Sequence, residues 1–283
     1  MLQKILAKII HDDLNAGGGS ERLAITTIEL LNEMGFGVDV HTYEALDVEK
    51  LENNFGQWKI KIRKIKKLNL LSLLQSKENA GHDSDDCNYD LIINTHGDLL
   101  PYVSEINNQS SIPDSVVDNN RLMRKPKMIT YCHYPLVPFY VKNGIYRRYL
   151  HKFIVTDEVK GFNSSNTLIE KLLSNACLLY DSMLRNTIVL TNSEFSKEAI
   201  KRLYNNDALI LKPPVDVKTF RKVALHSHEG QREDIILVVS RFSADKQIEN
   251  AIKVAKILQE KKVDAKMIIV GNVSRSDMDY LQL

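Results

Sequence analysis

The sequence predicts an α/β fold built on a doubly wound parallel sheet, with a second, shorter α/β segment behind it. Three observations point there. Short apolar runs alternate with amphipathic helical periods over most of the chain, the pattern of strands covered by helices. Several runs (DLIINT, KMITYC, TIVLT) are apolar without polar alternation, as strands buried on both faces are. After residue 230 one clean strand–helix–strand unit follows a polar stretch that lacks either period.

In chain order, Ile5–Ile10 reads as the first strand. Ser20–Met34 reads as a helix with Ala24, Ile28 and Leu31 on one face, stopped by Gly35-Phe36-Gly37. Val38–Tyr43 is the second strand and Trp58–Ile65 the third. Asp90–Thr95 and Lys127–Cys132 are buried strands, Leu168–Arg185 is a long helix, and Thr187–Thr191 returns to strand. Ser193 is placed to cap a helix whose buried stripe is expected to be Phe195, Ala199, Ile200 and Leu203. Leu209–Leu211 closes the set, and Lys212-Pro213-Pro214 continues neither element. The second unit comprises the strand Ile235–Val239, a helix with Ile248, Ala251, Ile252, Ala255 and Leu258 as its stripe, and the strand Lys266–Val270, ended by Gly271. The expected organisation is a domain over 1–217, a linker over 218–230, and a partial second domain over 231–283. That last segment falls short of the roughly 100 residues a doubly wound domain uses.

Composition narrows the class. Of 283 residues, 43% are hydrophobic and 26% charged, and the formal net charge is +2, which excludes a disordered chain and argues against a dedicated nucleic-acid binder. Cys87, Cys132 and Cys177 are odd in number and widely spaced, so they form neither a disulfide framework nor a paired metal motif. The N-terminal MLQKILAKII is too short and lysine-broken for a signal peptide, and no run reaches the ~18 apolar residues of a membrane span. The expectation is a cytoplasmic protein.

In a doubly wound sheet, ligands bind beyond the carboxyl ends of the strands, so the loops there are the candidates. The first runs His11-Asp12-Asp13-Leu14-Asn15-Ala16-Gly17-Gly18-Gly19-Ser20-Glu21-Arg22. Glycines before a helix allow a ligand close to the backbone and leave amide donors for an anion, although a flexible turn entering a helix has the same composition. GGGSER fits neither the dinucleotide fingerprint nor a P-loop. His96 follows one strand and His133 another, so both would line one cleft; neither has a second ligand at zinc-site spacing. Arg241 and Lys246 lie in the loop after Ile235–Val239, beside the positive end of the next helix, where a diphosphate would be neutralised. Solvated surface charge is the plainer account of the same two residues.

Taken in order, GGGSER, THGDLLPY, ITYCHYP, TNSEFSKEAI, PPVD and SRFSADK with Val270-Gly271 resemble the motifs of glycosyltransferase family 4, retaining enzymes of the GT-B fold. The likeness runs from the first residue to the last. NAGGGSER and YCHYP most resemble the α-1,2-mannosyltransferases that extend lipid-linked oligosaccharides with GDP-mannose as donor.

The resemblance implies a Rossmann-like acceptor-side domain, then an incomplete donor-binding one. It implies that Gly18 and Gly19 face the donor diphosphate, and that Arg241 and Lys246 neutralise the leaving nucleoside diphosphate in place of a metal. His96 or His133 would stand near the transferred sugar; position favours His96 there and His133 nearer the acceptor. No protein nucleophile is implied, no metal and no separate cofactor: the nucleotide sugar is a substrate. The family's pair of donor-side glutamates lies beyond residue 283, so weak or absent transfer by this chain is the expectation. A non-catalytic paralogue or glycan-binding partner subunit stays open beside the transferase. Partners would be a nucleotide-sugar donor and a lipid-linked or glycan acceptor. The stretch Lys59, Lys61, Arg63, Lys64, Lys66, Lys67, followed by Leu68, Leu70, Leu71, Leu73 and Leu74, could lie against an anionic membrane face or be an ordinary surface strand and core helix.

Overall fold

In a computed structural model, the residues described are 5–42, 44–56, 60–67, 89–96, 115–118, 121–124, 126–135, 142, 180–181, 183–217, 220–221, 234–273 and 280. The chain divides into two units, Met1–Val215 and Asp216–Leu283.

The first unit carries a seven-stranded sheet. Its strands are β1 (Leu6–Ile10), β2 (Gly37–Thr42), β3 (Ile62–Lys67), β4 (Leu91–Asn94), β7 (Lys127–Cys132), β8 (Ile188–Thr191) and β9 (Leu209–Ile210). They lie in the order β3-β2-β1-β4-β7-β8-β9. Every pairing is parallel. From β1 the chain winds outward through β2 and β3 on one side. It then returns to β4 and winds outward the other way, which makes the sheet doubly wound and puts its switch point between β1 and β4. Between β4 and β7 stands an antiparallel hairpin, β5 (Ser115–Asp118) with β6 (Arg121–Arg124), which the periodicity does not announce.

Burial follows from this topology. Ala7 and Ile9 on β1, and Val38 and Val40 on β2, pack with Ala24, Ile25, Ile28 and Leu31 of α1 (Gly19–Glu33). Leu51 of α2 (Val48–Phe55), a helix absent from the sequence expectation, joins the same cluster. The alternate residues Lys8, Ile10, Asp39 and His41 are buried as well, so both faces of the central strands are covered, as a parallel sheet requires. Lys8 faces the Tyr89 ring at 5.7 Å. Asp39, its register partner, accepts from Arg63 Nε at 2.8 Å and from Tyr89 Oη at 2.8 Å. On β7, beyond β4, the Cys132 thiol is buried, 3.2 Å from the Tyr180 hydroxyl.

Two sequence expectations shift. The third strand spans Ile62–Lys67, past the expected Ile65, and stands last in the sheet order, exposed from Arg63 onward; Trp58 lies outside the described residues. Lysines on an exposed edge strand are a common guard against pairing with another chain. Ser193 does cap α3 (Glu194–Tyr204), its side chain accepting from Ser196 N–H, but the buried stripe is Ser196, Ile200 and Tyr204. Phe195 and Leu203 are exposed, and Phe195 stacks on Tyr134 instead. The helix expected at Leu168–Arg185 lies outside the described residues up to 179; Tyr180, Asp181 and residues 183–186 are helical. The 218–230 linker likewise lies outside them but for Phe220 and Arg221, and so do Leu68–Leu74 and Lys59.

The second unit pairs β10 (Ile235–Val239) with β11 (Lys266–Val270) in parallel, joined through α4 (Ile248–Glu260). Of the expected α4 stripe, Ile248 is buried and Ala251, Ala255 and Leu258 are partly covered, whereas Ile252 is exposed. No helix among the described residues is long and apolar enough to cross a membrane.

Candidate active site at the switch point

The switch point gathers three histidines from three strand ends. His11 follows β1, His96 stands two residues beyond β4, and His133 follows β7. Backbone bonds continue the ladder into this rim: His11 N–H donates to His41 C=O at 3.0 Å, and Thr95 N–H to Ile10 C=O at 3.0 Å. The His11 and His96 ring centroids are 5.2 Å apart, and those of His96 and His133 are 6.3 Å apart. The two histidines named from the sequence are therefore brought together, and His11 is added to them.

His11 is fully buried and held on both sides. Its Nδ1 lies 2.9 Å from Thr95 Oγ1, and its Nε2 lies 3.3 Å from Glu21 Oε1. Glu21 sits in the first turn of α1 and is itself buried. It accepts from Gly18 N–H at 2.5 Å and from Ser20 Oγ at 2.6 Å. Burial alone would raise the Glu21 pKa, but the hydrogen bonds from His11 and Ser20, with the charge of His11, hold it down to about 2. The carboxylate is ionised across the physiological range.

Burial pushes the His96 pKa well below the ordinary value, and the neighbouring His11 and His133 reinforce this. Burial also lowers that of His133, against a 3.4 Å contact between its Nε2 and Thr95 C=O. Both are neutral imidazoles at neutral pH, able to bond a sugar hydroxyl as donor or acceptor. His133 is fixed through its backbone. Its carbonyl accepts from Asn192 Nδ2 at 3.0 Å and from Ser196 Oγ at 2.9 Å, which ties the end of β7 to the start of α3.

The glycines have separate duties. Gly17 takes φ +73°, a left-handed conformation that favours glycine. At Gly18 an added Cβ would meet Glu21 Oε2 at 2.5 Å, so this glycine admits the carboxylate, and its N–H is spent on that carboxylate. Gly19 opens α1 and, among the described residues, nothing lies within 4 Å of an added Cβ, so a ligand could approach the helix N-terminus there.

Arg241 and Lys246 belong to the second unit. Both are exposed, between β10 and α4. Their loop is anchored to the end of β11: Ser240 N–H donates to Val270 C=O at 3.0 Å and Phe242 N–H to Asn272 C=O at 2.9 Å. Gln247, at φ 49°, turns the chain into α4, and Ile248 N–H donates to the Tyr280 hydroxyl at 2.9 Å. One amide of that helix end is thus occupied, and Arg241 and Lys246 lie exposed in the loop that leads into it.

His11 and Glu21 are the site residues that sequence reasoning did not single out. Glu21 stands three residues after Gly18, the spacing of a capping residue, and that is the signal it offered.

No family model matches the chain. It is similar, at 21% identity over 308 aligned residues, to a Mus musculus protein described as GDP-Man:Man(3)GlcNAc(2)-PP-Dol alpha-1,2-mannosyltransferase. That match takes in 98% of this chain and 59% of the mouse protein, so the chain spans about three-fifths of its relative's length. Among solved structures, a glycosyltransferase from Rickettsia africae ESF-5 aligns with 99% of this chain and 70% of its own, at 14% identity and TM-score 0.46. An alpha-glucosyltransferase in complex with UDP and a mismatch-containing 13-mer DNA aligns with 96% and 57%, at 11% identity and TM-score 0.49.

Proposed function

We propose that this chain forms part of a glycosyltransferase that moves a sugar from a nucleotide donor to a glycan or lipid-linked acceptor, with mannose from GDP-mannose as the first choice. The observation that carries the reading is the histidine cluster at the switch point, where two neutral imidazoles and the open start of α1 meet at the carboxyl edge of a doubly wound sheet. The likeness of nearly the whole chain to about three-fifths of a mannosyltransferase supports the choice of sugar and of lipid-linked acceptor.

In this reading His96 bonds the transferred sugar and His133 stands on the acceptor side. Gly19, with Gly18 beside it, lets the donor close to the backbone. Arg241 and Lys246 meet the diphosphate, whose negative charge grows as the glycosidic bond breaks, so they stabilise the transition state more than the ground state. They take the part a metal plays toward the diphosphate in other transferases. The sugar retains its anomeric configuration, and no side chain here is assigned as a nucleophile. The protein works on the cytoplasmic side, with peripheral membrane contact where the acceptor is lipid-linked.

Calorimetric titration of GDP and UDP into the protein tests the donor half of this. GDP is expected to bind more tightly than UDP, and Arg241→Ala with Lys246→Ala to weaken GDP binding at least tenfold, each lost charge-assisted contact costing about 1.5–3 kcal/mol. Equal binding by wild type and double variant would remove the diphosphate assignment. A His96→Ala protein that binds GDP normally but loses its preference for GDP-mannose over GDP would place the sugar at His96.

A further inference from the structure

The contacts around His11 set what its Nε2 can hold. The Thr95 hydroxyl lies 3.1 Å from Ile10 C=O, to which it can only donate. Its oxygen is then the acceptor for the imidazole, which makes Nδ1–H of His11 the donor at 2.9 Å. Nε2 faces Glu21 Oε1, 3.3 Å away, with a proton between them in the ion pair. A divalent metal can take the place of that proton.

We infer that His11, Glu21 and His96 form a site for a divalent transition metal of the zinc class. One ligand atom from each of the three lies within 4.8 Å of the others. Tetrahedral zinc with bonds of 2.0–2.2 Å puts its ligand atoms roughly 3.3–3.5 Å apart, the separation His11 Nε2 and Glu21 Oε1 already have. The His96 ring supplies the third ligand atom, within 4.8 Å of the other two. Two imidazoles and one carboxylate are a recurrent zinc ligand set that leaves a fourth position open.

The surroundings are those a ligated metal uses. Thr95 takes the second N–H of His11 and so fixes the tautomer that presents Nε2. Gly18 N–H holds Glu21 Oε2, and the Ser20 hydroxyl holds Oε1 while leaving that oxygen a further lone pair. The ligands come from the ends of β1 and β4 and from the first turn of α1, so the ion clamps the glycine turn to the switch point. The inference is independent of the transferase reading: it needs no nucleotide and no sugar. Where both hold, metal and sugar compete for His96.

Cobalt(II) and zinc(II) themselves are the probes. Chelator-treated, dialysed protein is titrated with Co2+, followed by the visible d–d bands of tetrahedral cobalt, then with Zn2+ against a chromophoric chelator. One equivalent is expected, with Zn2+ displacing Co2+ and raising the thermal midpoint. His96→Ala and Glu21→Gln are each expected to weaken binding at least tenfold, whereas His133→Gln, which removes a neighbouring histidine outside the triad, leaves it unchanged. Thr95→Val keeps all three ligands and is expected to weaken binding by roughly 10-fold through loss of the orienting bond. Absence of tetrahedral cobalt bands, or binding that the His96 and Glu21 variants do not alter, would overturn the site and leave a proton between His11 and Glu21. GDP binding in the wild type decides the transferase reading separately.

Discussion

Asp39 shows how much one residue can carry away from the site. It is buried on a central strand, and Arg63 grips both of its oxygens while Tyr89 donates to one. Burial raises its pKa, and the bonds and charge of Arg63, with the Tyr89 bond, more than reverse this, so the carboxyl sits below its ordinary range. A depressed folded pKa contributes stability that is present above the unfolded value and lost as pH falls through the folded one. Asp39→Asn should therefore cost about 2 kcal/mol at pH 7, and the gap from wild type should narrow as pH drops below about 4. Urea unfolding at a series of pH values measures both, and a gap constant with pH would show that the charge of Asp39 is immaterial. The sequence placed Asp39 in a strand but not this network, because its partners are brought together by tertiary pairing. The same holds for the site: His96 and His133 were legible as strand-end histidines, whereas the approach of His11 to them depends on β1 and β4 being neighbours, which the order of motifs does not state.

Elements were more legible than their faces. β7 and β11 begin and end where the apolar runs do, and β1, β2 and α1 fall within a residue or so, because continuous apolar stretches and glycine stops fix their limits. α3 was located by its Ser193 cap, yet its buried stripe is turned to Ser196, Ile200 and Tyr204: Ser196 is recruited inward by the His133 carbonyl, and that tertiary bond outweighs the apolar pattern. β11 ends on a constraint of a different sort. An added Cβ at Gly271 would stand 1.6 Å from Ser240 C=O, in the backbone of the loop after β10. Gly271→Ala should push that loop from the end of β11, breaking the Ser240 N–H to Val270 C=O bond and costing several kcal/mol, about 3 or more. Hydrogen exchange is expected to rise in both strands of the second unit and stay unchanged in β1 and β4; protection retained throughout would mean that the loop accommodates the methyl group.

For the molecule as a whole, apolar surface is distributed unevenly. In the second unit Leu237 and Val239 on β10 and Ile252 on α4 are more than half exposed, although the sequence reads as ordinary strand and helix core. In the first unit Ala7, Ile9, Val38 and Val40 are buried, because α1 packs over that face of the sheet. The sequence pattern announces what a segment is suited to pack against, and the sheet order decides which segments find it. The middle of the first sheet also holds a chemical clock. The Cys132 thiol, at the end of β7 and buried beside Tyr180, can meet an alkylating reagent only when the packing around it opens. In a protein carrying Cys87→Ser and Cys177→Ser, the rate of its modification would time that opening directly, without any label added to the chain.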